Sequence, residues 1–555
     1  MMAFARQVLA VLVAFAILAF LPIVLLVLVM MVPHSTIPHH AYLSIELKEE
    51  LLEHYAPPTV GSLLHETPPC LMEITENLEK AAVDGRISGV IFTLDGFSAG
   101  LGKIDEIRQS IRHVQEAGKS VYAYASEVTD DGIYLASACD SAYLFPDGTA
   151  YFLGMGATIE HIKGTLEKLG IHEQIHRIDE YKSAAELFTA KQSSQQTLEN
   201  VRWLMEDMSK AADSALAADL GVSRDSLVAL RNRAIFRGEA AVAAGLFDGT
   251  MYWDELLERL GGDDLDTISS AEYSKVSRKE VGLEGNARIA VVHAQGFVAP
   301  DGDDRFEPVV GLTLGADRVV EDLETAADDD RVRSVVLRWD TGGGATSGAE
   351  RIARAVEKTR EKKPVVVSIA DEAASGGYMM SQNANRILCP GNGITGSIGS
   401  ITGKLNMRGL LEKLGVTLDD FALSPNAFLF SPVHDYTEAQ WAAIQENHWA
   451  WYREWISDIA ELRGMTVEEV DAAGRGRVWT GRQAHDLRLI DELGGFEDAV
   501  RVAKELADID RDANVAFVHF PPKRTLVDVL LEGNFDEVAA ASLRSVFRSA
   551  FGAHP

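Results

Sequence analysis

Arg331-Val332-Arg333-Ser334-Val335-Val336 is a short, β-branched run that leads into a turn-prone segment and then a helical pattern. About 245 residues earlier, Arg86-Ile87-Ser88-Gly89-Val90-Ile91 stands in the same setting. The parallel continues outward. Gly118-Lys119-Ser120-Val121-Tyr122 answers to Lys363-Pro364-Val365-Val366-Val367, and Leu166-Glu167-Lys168-Leu169-Gly170-Ile171 to Leu411-Glu412-Lys413-Leu414-Gly415-Val416. A constant offset at separate points marks a duplication of domain size, too long for a solenoid repeat. Within each copy, strand runs alternate with helical spacing, as at 104–114 and 349–356. That alternation predicts α/β domains.

The expected organisation has four parts. Residues 1–33 form an N-terminal anchor, 41–285 a first α/β repeat, 286–506 a second, and 507–555 a C-terminal tail that opens with a short strand at 515–520. The polar stretch 269–286 reads as the linker between repeats.

Register makes the duplication informative. It sets Asp131-Gly132-Ile133-Tyr134 against Ser375-Gly376-Gly377-Tyr378, so the first copy has an acid where the second has a serine. Lys182, in Tyr181-Lys182-Ser183, falls opposite Ala427, so the second copy lacks the lysine. The pattern predicts one Ser/Lys site divided between two domains. A serine hydroxyl needs a base to become a nucleophile, and a lysine amine serves only when burial favours its neutral form. Asp179, Glu180 and Glu186 lie close to Lys182 in sequence and must face elsewhere, because a carboxylate at the amine would hold it protonated. An oxyanion needs backbone donors. Gly376, at an expected helix start, and Gly343, in Thr341-Gly342-Gly343-Gly344, are the candidates. Ser397, in Thr395-Gly396-Ser397-Ile398-Gly399, has no hydroxyl counterpart near Phe152-Leu153-Gly154; it is either an orienter of the lysine or a turn residue.

Composition bounds the rest. The 555-residue chain is 47% hydrophobic, which excludes a disordered protein. Its formal net charge of -31 argues against nucleic acid and anionic surfaces as partners of the soluble part. Cys70, Cys139 and Cys389 are too scattered for a disulfide framework or a zinc site. His172 and His176 are spaced for one helix face but lack a third ligand. The uncharged apolar run at 8–32, broken by Pro22, exceeds the length needed to cross a ~30 Å hydrocarbon core. Arg6 before it, and no Lys or Arg after it until Lys48, orient the amino terminus to the cytoplasm and the body outside.

These residues together resemble the signal peptide peptidase A (protease IV) family in its long, double-domain, membrane-anchored form. The resemblance is carried by 331–500, with Ala373-Ala374-Ser375-Gly376-Gly377-Tyr378 and Val478-Trp479-Thr480-Gly481-Arg482-Gln483-Ala484. In the first copy it rests on Tyr181-Lys182-Ser183-Ala184 and Phe236-Arg237-Gly238-Glu239-Ala240-Ala241. It implies tandem duplicated caseinolytic-protease/crotonase-like superhelical domains after a transmembrane helix. It implies Ser375 as nucleophile, Lys182 as general base, Ser397 orienting the lysine, and oxyanion donors near Gly343 and Gly376. It further implies a homotetramer on the extracytoplasmic (periplasmic) side of the inner membrane that cleaves remnant signal peptides without metal or cofactor. The chain departs from the family pattern at Thr341, Leu187 and the acid pair Asp371-Glu372.

Other readings remain open at this level. No Gly-x-Ser-x-Gly elbow surrounds Ser375, which disfavours a Ser-His-Asp esterase. A crotonase-like acyl-CoA enzyme would need neither Ser375 nor Lys182. A catalytically inactive membrane-anchored scaffold of the same fold is the non-enzyme alternative.

Overall fold

The computed structural model describes residues 37–55, 68–262, 265–307 and 310–522. The expected anchor at 1–33 lies outside them. Among the described residues, no helix is long and apolar enough to cross a membrane.

The two copies fold strand for strand alike. The first sheet runs Ile235–Arg237, Ser141–Tyr151, Ser120–Val128, Ile87–Thr93, Ala41–Glu46, Thr267–Ser269. The second runs Val478–Thr480, Ile394–Gly396, Val365–Ala374, Val332–Thr341, Ala287–Gln295, Val515–Phe520. The inner pairs are parallel, and the short strand at one edge of each sheet is antiparallel. The apolar runs explain this. Val335, Val336 and Leu337 are fully buried in succession, as are Val365, Val366 and Val367. Consecutive burial requires cover on both faces, which the crossover helices of a parallel sheet supply. The helices Leu71–Val83 and Leu101–Glu116 in the first copy match Ala316–Asp328 and Thr346–Lys362 in the second.

Two expected boundaries shift. The strand Val515–Phe520 pairs in parallel along Ala287–Gln295 and so belongs to the second sheet. Thr267–Ser269 does the same job along Ala41–Glu46 in the first. The stretch read as a polar linker contains the helix Ser270–Tyr273, and Tyr273 is fully buried in the first core. Tyr273 hides among polar neighbours because its hydroxyl donates to Asp84 (3.1 Å), so one aromatic anchor outweighs the composition around it.

The copies are joined by buried charge. Arg338 of the second sheet forks onto Glu53 (2.7 and 3.0 Å) and Glu106 (2.8 and 3.0 Å), both from the first copy. Beside it, Lys103 of the first copy reaches Asp340 (2.8 Å) and Asp371 (3.2 Å) of the second. A second join involves the chain between the copies' cores. The strand His172–Arg177 leaves the first sheet and pairs antiparallel with Ile401–Asn406. Ile178 then buries itself in the core of the second copy, its N–H donating to Ser400 O (2.9 Å). His172 and His176 therefore lie on a strand, not on a helix face. His172 bonds Asp435 (2.9 Å) and His176 bonds His448 (2.8 Å), and among the described residues neither joins a metal-binding cluster.

Candidate active site

The crossing strand delivers Lys182 to the second copy. Lys182 Nζ lies 2.8 Å from Ser375 Oγ, 2.8 Å from Ser397 Oγ and 3.0 Å from Ser397 O. A neutral amine has two N–H donors and one lone pair. Three neighbours match that inventory: the two donors satisfy Ser397 O and Oγ, and the lone pair accepts from the Ser375 hydroxyl.

Burial sets the protonation. Lys182 is 6% exposed, and loss of solvent alone pulls its amine down to about 7. Among the described residues no carboxylate offsets this, because each nearby acid is held elsewhere. Asp179 pairs with Arg475 (3.4 Å), Glu180 accepts from Gln196 (2.8 Å), and Glu186 pairs with Arg177 (2.7 Å). The sequence made this arrangement a requirement, and the fold meets it.

Ser375 sits between the strand Val365–Ala374 and the helix Gly376–Ser381, with φ 56° and ψ -114°. This is a region a residue with a Cβ rarely adopts. The turn is held by Ser375 N–H donating to Gly396 O (2.8 Å) and by Met379 N–H returning to Ser375 O (3.1 Å). Ser397 also has a positive φ, 52°, and its N–H donates to Arg477 O (2.6 Å). Two hydroxyl residues are thus strained toward one amine, each by a bond to a neighbouring loop.

The glycine turn after Val332–Thr341 closes one side. Gly343 has φ +95°, and a Cβ on it would stand 2.6 Å from Gly376 N and 2.9 Å from Ser375 Cβ. Only glycine permits that approach. Its amide is not open toward Ser375, however. Gly343 N–H donates to Thr341 Oγ1 (3.0 Å), and Thr341 Oγ1 donates onward to Gly296 O (2.6 Å). Gly343 is thus the residue that lets the turn touch Ser375, with its N–H engaged by Thr341. Gly376 keeps its place at the helix start. Gly344 N lies 3.2 Å from where a Cβ of Gly376 would be, so a second amide is beside it.

Sequence reasoning missed the turn Gly474 to Arg477. Gly476, with φ +83°, packs on the Lys182 backbone, and Arg477 lies over the Tyr181 ring at 3.9 Å. The signal that could have found it is Gly474-Arg475-Gly476-Arg477, a glycine-spaced pair just ahead of a strand run. In the first copy, the position matching Ser375 is closed off. Asp131 accepts from Ser98 Oγ (3.2 Å) and Ala99 N (3.3 Å).

A hydroxyl and a buried amine thus meet from the two copies, an arrangement that suits a peptidase-type hydrolase. The chain belongs to peptidase family S49, whose model matches residues 113–264 and 357–510, one stretch in each copy. It is a serine protease. It is 30% identical to the chloroplastic serine protease SPPA of Arabidopsis thaliana over 470 residues, covering 83% of this chain and 69% of that one. It is 30% identical to protease 4 of Haemophilus influenzae over 466 residues, covering 79% and 73%. With protease 4 of Salmonella typhi it shares 29% over 504 residues, covering 85% and 77%.

Proposed function

We propose that this protease is a Ser/Lys-dyad endopeptidase, anchored in the inner membrane, that degrades remnant signal peptides and other apolar peptides on the extracytoplasmic side. The observation that carries the reading is the 2.8 Å approach of Lys182 Nζ to Ser375 Oγ in a carboxylate-free, buried setting. Ser375 gives its proton to Lys182 and attacks the scissile carbonyl. Ser397 holds the amine in line through two bonds. The amides of Gly376 and Gly344 stabilise the tetrahedral oxyanion. The Lys182 ammonium then protonates the leaving amine, and the neutral amine it regenerates activates the water that releases the acyl group.

The two alike sheets support a duplicated superhelical fold of the caseinolytic-protease and crotonase type. The apolar run at 8–32 supports the anchor. Assembly as a homotetramer is supported by an apolar stretch that no part of the described chain covers: Phe421, Leu423 and Phe430 are 86%, 93% and 87% exposed.

The test is peptide cleavage and labelling by a serine-reactive phosphonate in detergent, for wild type, Ser375→Ala and Lys182→Ala. Both variants should lose cleavage by at least ~10³-fold while keeping the wild-type assembly state. Cleavage that survives Lys182→Ala would place the base elsewhere. A wild type that neither cleaves nor labels would leave an inactive scaffold.

A further inference from the structure

A cavity of 640 Å³ is lined in part by Gly342 and Gly343 of the glycine turn. Gly343 also packs against Ser375, so this turn is common to the cavity and the cleavage site. The cavity wall has two characters. Leu52, Phe297, Phe306 and Leu312 are apolar, while Glu50, Asp340, Asp371 and Glu372 are acidic and outnumber Lys103, the one cation on the wall among the described residues.

The acids are not equivalent. Asp340 and Asp371 share Lys103. Among the described residues, the Glu372 carboxylate has no hydrogen-bond or ion-pair partner, although it is close enough to Gly342 for a Cβ there to stand 3.0 Å from its oxygen. Burial, reinforced by Asp340 and Asp371 and opposed by Lys103, which those two acids share, pushes its carboxyl up to about 7. A carboxylate so placed is completed by a cation delivered from outside. A lysine or arginine side chain has the matching form, an apolar stem for the apolar residues and a charged head for the acids.

We infer that Glu372 is a specificity-determining residue, and that the cleft beside Ser375 selects a peptide with a lysine or arginine at one fixed position flanking the cleaved bond. This deepens the proposed function and rests on it. The two fit together chemically. A signal peptide carries a basic segment directly ahead of its apolar stretch, so a basic anchor next to the Ser375 turn would set where the apolar part is cut.

The experiment uses the full chain in detergent and matched peptides with arginine, citrulline or leucine at each position in turn. Wild type should prefer arginine over its neutral isostere citrulline at one position by about tenfold or more in kcat/KM. Glu372→Gln, which keeps size and hydrogen bonding, should reduce that preference to within about twofold. Binding is read separately by fluorescence anisotropy on the Ser375→Ala protein, with and without Glu372→Gln, and should show the same arginine preference. Equal handling of arginine and citrulline by wild type, or a preference unchanged in Glu372→Gln, overturns the inference while cleavage of neutral peptides leaves the dyad standing. A wild type that cleaves no peptide, with a Ser375→Ala protein that binds none, overturns both.

Discussion

Gly476 seats Lys182. A methyl carbon at Gly476 would stand 2.4 Å from Lys182 N, 2.5 Å from its Cα and 2.7 Å from its Cβ, all less flexible than a side-chain tip. The residue therefore meets two demands at once, a φ of +83° and a surface with no side chain. Gly476→Ala must push the Lys182 backbone away, and the amine leaves the line between Ser375 and Ser397. A displacement near 1 Å costs about 10²-fold in rate. The expected outcome is a kcat loss of that size with KM little changed. Gly118→Ala is the control, since it carries φ +80° in open space and imposes strain without a clash. Wild-type kcat in Gly476→Ala would show that the turn does not seat the lysine.

The buried amine predicts a pH limb. Lys182 works as a base only when neutral, and its ammonium loses a proton at about 7. kcat/KM for the full chain should therefore be flat above that pH and fall about tenfold per unit below it. An ordinary lysine, with a pKa of ~10.4, would instead give a rate still climbing through pH 9. The rate of labelling by a serine-reactive phosphonate should trace the same curve, because it depends on the same proton transfer. A labelling rate independent of pH between 5 and 9 would remove Lys182 from the role of base.

Arg338 predicts a stability asymmetry. It is 1% exposed and pairs with both Glu53 and Glu106 across the join between the copies. Arg338→Met leaves two buried carboxylates facing each other and should destabilise by ~3–5 kcal/mol. Changing the three together, with Glu53→Gln and Glu106→Gln, removes the stranded charge and should recover most of that loss. Urea unfolding of the three proteins reads this directly. A triple variant as unstable as Arg338→Met would mean that the loss comes from packing rather than charge.

Much of the fold was legible because duplication doubles every local signal. Val332 to Val336 and Ile87 to Ile91 are weak strand cues alone but strong as a pair at a fixed offset. Ser375 and Lys182 were legible through the complementary gaps at Asp131 and Ala427, and the structure brings the two side chains together. What stayed hidden depends on pairing across long separations. Nothing local to His172–Arg177 says that its partner is Ile401–Asn406, and without that pairing the spacing of His172 and His176 fits a helix as well as a strand. The Gly343 amide shows a different, local limit. Its acceptor, Thr341 Oγ1, is two residues away, and sequence does not give side-chain direction. Tyr273 was misplaced in a linker because composition averaged over a polar stretch conceals a single buried ring.

The same burial that tunes Lys182 must cost the protein stability, most at low pH. The folded pKa of about 7 lies below the unfolded value of ~10.4. At pH 7 and below, the folded state must either strip the proton or bury the charge, so the full penalty applies there. As pH rises from 7 to ~10.4, the unfolded lysine also loses its proton, and the penalty shrinks to nothing. Lys182→Met fills the space without a charge, at the loss of the bonds to Ser375 and Ser397, together worth ~2–3 kcal/mol. The penalty removed is on the order of 4 kcal/mol at neutral pH, so the balance favours methionine. Lys182→Met should therefore be inactive and yet melt at a higher temperature than wild type at pH 6, with the gain fading by pH 10. A variant that melts below wild type at pH 6 would show that the amine sits there without an electrostatic penalty, and the downward shift that makes it a base would have to be abandoned.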